Sequence, residues 1–194
     1  MNDQSMRGVV FGGLAALFVL SLAVLGYGNY TSGMTLRFVL LNSVLLAIPL
    51  VLLYFCLGLM WVAWRQHGQG ALSAGTARLL YGTPRSAGVV IALFVAMFAL
   101  DAFDMPGSLL VKLGAFLLHA LPSLIVLALL AVAWRWEWVG ALVFGLAASL
   151  IFGLSVQSSV LMGLGNLLLF VLPMAAIALL FWLNWRWRAE IRHR

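Results

Sequence analysis

Apolar residues run in six long blocks along the chain, broken by short stretches rich in Gly, Ser, Asn, Asp and Arg. A helix needs about 20 apolar residues to cross a hydrocarbon core about 30 Å thick. The blocks therefore predict six transmembrane helices, over residues 8–26, 37–64, 86–103, 109–134, 139–156 and 160–185. The first follows a charged N-terminus as in a signal peptide, but it is longer than the usual h-region and no A-x-A site follows it, so an uncleaved span is expected. Tyr27 to Leu36 is uncharged and rich in Gly, Asn, Ser and Thr, and reads as a loop. Residues 65–85 form the one long connection, with at most a short interfacial helix at Leu72, Leu79 and Leu80. The stretch DAFDMPGS predicts a tight turn after the third span.

Composition agrees. With 65% hydrophobic and 8% charged residues and a mean hydropathy of +1.13, the chain is far more apolar than a soluble domain, in which about a quarter of residues are charged. It reads as an all-α integral membrane protein of one polytopic domain, residues 1–194, with no room for a separate soluble unit. The net charge of +6 would suggest nucleic acid in a soluble protein. Here the basic residues flank the spans, where they set orientation and meet anionic lipid on the cytoplasmic side, so no nucleic-acid partner is expected. Arg7, Arg65, Arg78, Arg85, Arg135, Arg186, Arg188, Arg192 and Arg194 fall on one side, against Arg37 and Lys112 on the other. That bias predicts that both termini are cytoplasmic. Cys56, the single cysteine, lies inside a span and reads as a small buried hydrophobe.

The even-numbered spans share a spacing: Pro49 and Trp61, Pro122 and Trp134, Pro173 and Trp185 are each twelve positions apart. Twelve residues of helix cover about 18 Å, which sets each proline near mid-bilayer as an expected kink. The odd-numbered spans carry small residues every fourth position: Gly8, Gly12 and Ala16; Gly88, Ala92 and Ala96; Ala141, Gly145, Ser149 and Gly153. Such stripes let helix backbones approach closely in lipid. The chain thus reads as three helical hairpins, each a small-residue helix followed by a proline-kinked one.

Ionisable residues within a span are costly, so they face the bundle interior or mark function. Asp101 and Lys112 flank the same turn at matching depth, which predicts an ion pair. Lys112, His119 and Ser123 are spaced by seven and four and share one helix face, expected to point inward. Asn42 and Asn166 each precede a proline by seven residues. Together Asp101, Lys112, His119, Ser123, Asn42 and Asn166 form a candidate outward-facing polar pocket. The competing reading is that these groups satisfy one another as interhelical hydrogen bonds without a ligand. His119 could carry a proton or ligate metal, or simply bond to a nearby carbonyl. His67 and His193 fall outside the spans and are expected to be solvated.

Trp134, Trp136 and Trp138, with Trp185, read as interfacial anchors alongside Arg135 and Arg186, and Glu137 as a surface partner of Arg135. No P-loop, G-x-S-x-G or H-E-x-x-H occurs, nor acids clustered for Mg²⁺, so neither an enzyme nor a cofactor or metal is expected.

The second half carries F-x-L-D at Phe98, Leu100 and Asp101, H-x-x-P at His119 and Pro122, and W-R-W-E-x-x-G at Trp134, Arg135, Trp136, Glu137 and Gly140. In these motifs residues 97–185 resemble a family of small multi-span bacterial membrane proteins classed as a domain of unknown function. From Pro173 to Phe181 the resemblance continues, with Ala178 where the family usually has glycine. The resemblance implies a membrane fold, with no activity, cofactor or partner established. The leading expectation is an accessory or interaction subunit without catalysis, joined to a protein partner or a second copy. A small proton-coupled permease using the polar pocket is the alternative. A haem- or quinone-binding redox protein is weaker, since haem needs a second axial ligand that no other membrane-embedded histidine supplies.

Overall fold

The computed structural model describes residues 3–70 and 72–192. It is a bundle with six helical spans long and apolar enough to cross a membrane. α1 covers Asp3–Thr31, α2 Leu36–Gly68, and α3 Ala74–Met97, which tightens into a 3₁₀ segment, Phe98–Asp104. α4 (Leu109–Ala133) and α5 (Glu137–Ser155) follow. The last span begins as α6 (Val160–Asn166), widens into a π-helical turn at Leu167–Val171, and ends as α7 (Leu172–Arg186). A short α8, Arg188–Arg192, folds back against α3.

Consecutive helices pack as pairs, α1 on α2, α3 on α4 and α5 on α7, and α7 is the hub, touching α2, α3 and α5. One core joins Ile91, Leu130, Phe144, Ile177 and Phe181 from α3, α4, α5 and α7. A second joins Leu53, Cys56 and Leu80 to Leu180 and to Ile191 of α8. Cys56 is buried in it as a free thiol. A third, smaller core holds α1 through Leu25 against Leu46, Leu50 and Leu169. α1 is the peripheral helix, with only 11% of its apolar stretch buried.

The expected long connection is not one. Only residues 69–73 separate α2 from α3, and Arg78 and Arg85 are helical. Gly70 takes a positive φ of 66° that makes the turn, as glycine does without steric cost. Ser73 then caps α3, its Oγ accepting from Thr76 N at 3.2 Å. Leu72 and Leu80 are fully buried against α2 and α7 rather than lying at an interface. The tight turn expected from Asp101 is likewise displaced to 105–108, because the chain stays coiled through Asp104.

Small residues pack closely in α3, where a Cβ on Gly88 would lie 2.9 Å from Phe144. The other two stripes are covered only at Ala141, which packs on the first core: at Gly8, Gly12, Gly145 and Gly153 an added Cβ would meet no neighbour within 4 Å. α5 packs instead through Gly140, Phe144 and Ala148, with Gly140 against the face of the Phe181 ring. Pro49, Pro84 and Pro122 lie within continuous helix, each removing one backbone donor. Pro173 follows directly on the π turn, whose wider coil accommodates a ring that would otherwise clash with the carbonyl four residues back.

Candidate functional site

The six residues expected to line one polar pocket do not line a single cavity together. Asp101 is exposed on the 3₁₀ segment, and among the described residues it makes no ion pair with Lys112. Lys112 Nζ donates instead to the carbonyl of Phe103 at 2.6 Å, which ties α4 to the 3₁₀ segment. His119 is exposed, and its Nδ1 donates to Ala115 O at 2.8 Å, one turn back on its own helix. This carbonyl is not the one Pro122 frees, which belongs to Leu118. Ser123 shares that helix face and is 1% exposed. The difference follows the burial along α4, whose buried residues Ala120, Ser123, Leu130 and Ala133 all lie from its middle onward, where it packs into the bundle. A common face therefore points outward at one depth and inward at another. Asn42 is half-buried on α2.

Ser123 and Asn166 do share a space. A cavity of about 670 Å³ lies between α3, α4, α5 and the last span. Its wall includes Pro122, Ser123 and Val126 of α4, Phe98 beyond α3, and Asn166 and Phe170 beside the π turn. The wall is mostly hydrocarbon, so the space offers a dry volume within the usual size range of small-molecule sites. With Asp101, Lys112 and His119 outside it, no chain of ionisable groups runs through this cavity.

At the arginine-bearing end the polar groups do converge. Glu137 is 3% exposed and lies 3.6 Å from the guanidinium of Arg85, which is itself 8% exposed, so it is not a surface partner of Arg135. Arg85 also donates to the carbonyls of Tyr81 and, at 3.4 Å, of Trp134. Its guanidinium carbon stands 3.7 Å from the centre of the Tyr81 ring. Trp134 closes α4 and Glu137 opens α5. The cation thus sits where one helix presents its negative end, and the acid where the next presents its positive end. Beside them Asn184 Nδ2 donates to Leu80 O at 2.6 Å, linking α7 to α3.

Arg85 and Asn184 were not among the expected site residues. Arg85, Gly88 and Ala92 are spaced by three and four, so a helix begun at Ser73 would have put Arg85 on the packed stripe of α3. Asn184 carried no comparable signal, being one polar residue in an apolar span.

His67 is not simply solvated. Its Nδ1 lies 2.8 Å from Glu190 Oε2, and its ring stacks on Trp187 at 4.2 Å, which holds α8 against α2. His193 lies outside the described residues. Trp134, Trp136, Trp138 and Trp185 are exposed, as are Arg135 and Arg186. Among the described residues, no group of three or more His, Cys, Asp or Glu gathers to hold a metal ion.

No curated protein and no solved structure matches the chain. A family model does match, over residues 73–193, which takes in the Arg85–Glu137 pair, the cavity and α8, and spans more than half of the chain. The protein therefore belongs to the family described as domain of unknown function DUF7670.

Proposed function

We propose that this protein is a non-catalytic interaction subunit that presents the outer stripe of α5 to a neighbouring transmembrane helix. The observation that carries this reading is the uncovered face of Gly145, Ser149 and Gly153. An added Cβ at either glycine would meet nothing within 4 Å. Ser149 Oγ donates to Gly145 O at 2.9 Å, so the stripe is also free of unsatisfied polar groups. In lipid there is no hydrophobic drive for helices to associate, and small residues supply the close backbone contact that replaces it. The face α5 uses internally, Gly140 with Phe144 and Ala148, lies about 100° round the helix. One side of α5 therefore serves the fold and leaves the other for assembly.

The arginine bias supports placing the bundle in a bacterial cytoplasmic membrane with both termini and the anionic leaflet on the cytoplasmic side. A C-terminal reporter active only outside the membrane would overturn that orientation.

The assembly reading is tested by extracting the full chain in native nanodiscs and weighing the particles. Gly145→Leu with Gly153→Leu should reduce the assembly to the mass of one chain while helicity and melting temperature stay unchanged. An assembly mass unchanged by the double variant, or a single-chain mass for the unaltered protein, refutes it. A lost complex of twice the chain mass identifies a second copy as the occupant; any other mass points to a different partner.

A further inference from the structure

Serines inside membrane helices usually satisfy their hydroxyl on the carbonyl one turn back. Here Ser21, Ser43, Ser86, Ser149 and Ser155 do so, donating to Leu17, Val39, Gly82, Gly145 and Ile151. Ser123 does not. Its Oγ is buried and has no hydrogen-bond partner, although the side chain lines the 670 Å³ cavity. A buried hydroxyl without a partner is unfavourable, and such a group in a native fold calls for an explanation.

Depth restricts what could satisfy it. Ser123 is fourteen residues from the start of α4 and ten from its end, about 21 and 15 Å along the axis. It therefore lies near the middle of a hydrocarbon core about 30 Å thick. Glycerolipids carry their oxygens at the interface, so an acyl chain reaching this level brings no acceptor. What reaches it with an oxygen is an apolar molecule that carries a carbonyl within the hydrocarbon. The cavity wall suits a flat ring: Phe98 and Phe170 line it with their centroids 5.9 Å apart, and the remainder is mostly aliphatic, with Ser155, Ser158 and Asn166 as its other polar residues. Stacking on aromatic faces favours a planar guest over a flexible chain.

We propose that this cavity binds a quinone-like apolar carbonyl compound, its ring against Phe98 and Phe170 and its carbonyl accepting a hydrogen bond from Ser123 Oγ, which a rotation about χ1 turns from its covered position toward the guest. No electron transfer is invoked. Binding alone accounts for the unpartnered hydroxyl and for a cavity that opens beside the π turn, a distortion frequent at binding sites.

The test uses the full chain in nanodiscs and a benzoquinone bearing a decyl tail. Saturable binding should raise the melting temperature and shift the quinone carbonyl stretch to lower frequency in infrared difference spectra. Ser123→Ala, which keeps the packing, should weaken binding about five-fold and abolish the frequency shift. Ala147→Phe, which fills the cavity, should abolish binding. Palmitic acid serves as the competing apolar probe. The proposal is overturned if the quinone does not saturate, if the carbonyl shift survives Ser123→Ala, or if palmitic acid competes equally, which would mark a general acyl groove.

Discussion

The two ends of the bundle handle polar side chains in opposite ways. At the arginine-bearing end, Arg85, Glu137 and Asn184 come from three helices, and each is less than a tenth exposed. There Arg85 pairs with Glu137 and bonds the carbonyl of Trp134 that closes α4, while Asn184 bonds the carbonyl of Leu80 within α3. At the other end, Asp101, Lys112 and His119 are of the same chemical kinds, yet they meet only their own helix or the adjoining turn. The difference lies in the neighbours. Where α3, α5 and α7 converge a charge must be paired, because an uncompensated charge is expensive out of water. Where α4 stands off from the bundle, an exposed side chain needs no partner. A polar residue within a span thus gains importance from the helices around it, and depth alone does not reveal it.

Variants at the closed end should be the most damaging. Glu137→Ala leaves the Arg85 cation buried without its acid, and a loss of about 3–5 kcal/mol is expected in denaturation from mixed micelles. The double variant Arg85→Met with Glu137→Leu should recover most of it, since an apolar replacement avoids the desolvation penalty. A single variant no worse than the double would show that the pair is not the closure of this end.

Next comes the packing contact beside it. A Cβ on Gly140 would lie 2.6 Å from Phe181 Cγ, so Gly140→Val should cost about 1–3 kcal/mol through overpacking. Phe181→Leu in the same chain should relieve part of that loss. Gly145→Ala, on the uncovered face of the same helix, should be neutral or slightly stabilising by comparison. Asn184→Ala removes the bond to Leu80 O and should lower stability by about 1–3 kcal/mol, read in the same denaturation assay.

The smallest effects belong to the open end. His119→Ala and Asp101→Asn should leave the melting temperature unchanged, because both side chains are exposed. A marked loss from either would show that the two ends are alike after all.

Much of the architecture was legible in the sequence. The six spans and the burial of Cys56 followed from the run of apolar residues. The helix from Ala74 was missed because residues 65–85 carry only a weak amphipathic pattern and read as a connection, whereas Leu72, Ala77 and Leu80 supply contacts that override weak local propensity. Glu137 was assigned to Arg135, two residues away, because its real partner is fifty-two positions earlier. The face of Lys112, His119 and Ser123 was expected to point inward throughout, but His119 is exposed and Ser123 buried, because the surroundings change along α4, which periodicity does not record. Of the candidate pocket, Ser123 and Asn166 share a cavity, and the others do not.

The sequence by itself determined that this chain forms six helices able to cross a bilayer. That outcome depends on the transfer of each span into hydrocarbon, a property of the span taken alone. Only the tertiary structure decided which face of each helix is covered, that Arg85 reaches Glu137, and that Ser123 is left without a partner. In water an apolar face declares itself against a polar one. In lipid, leucine lines the core and the outer surface alike, so the pattern that normally separates inside from outside is missing and packing geometry must supply it.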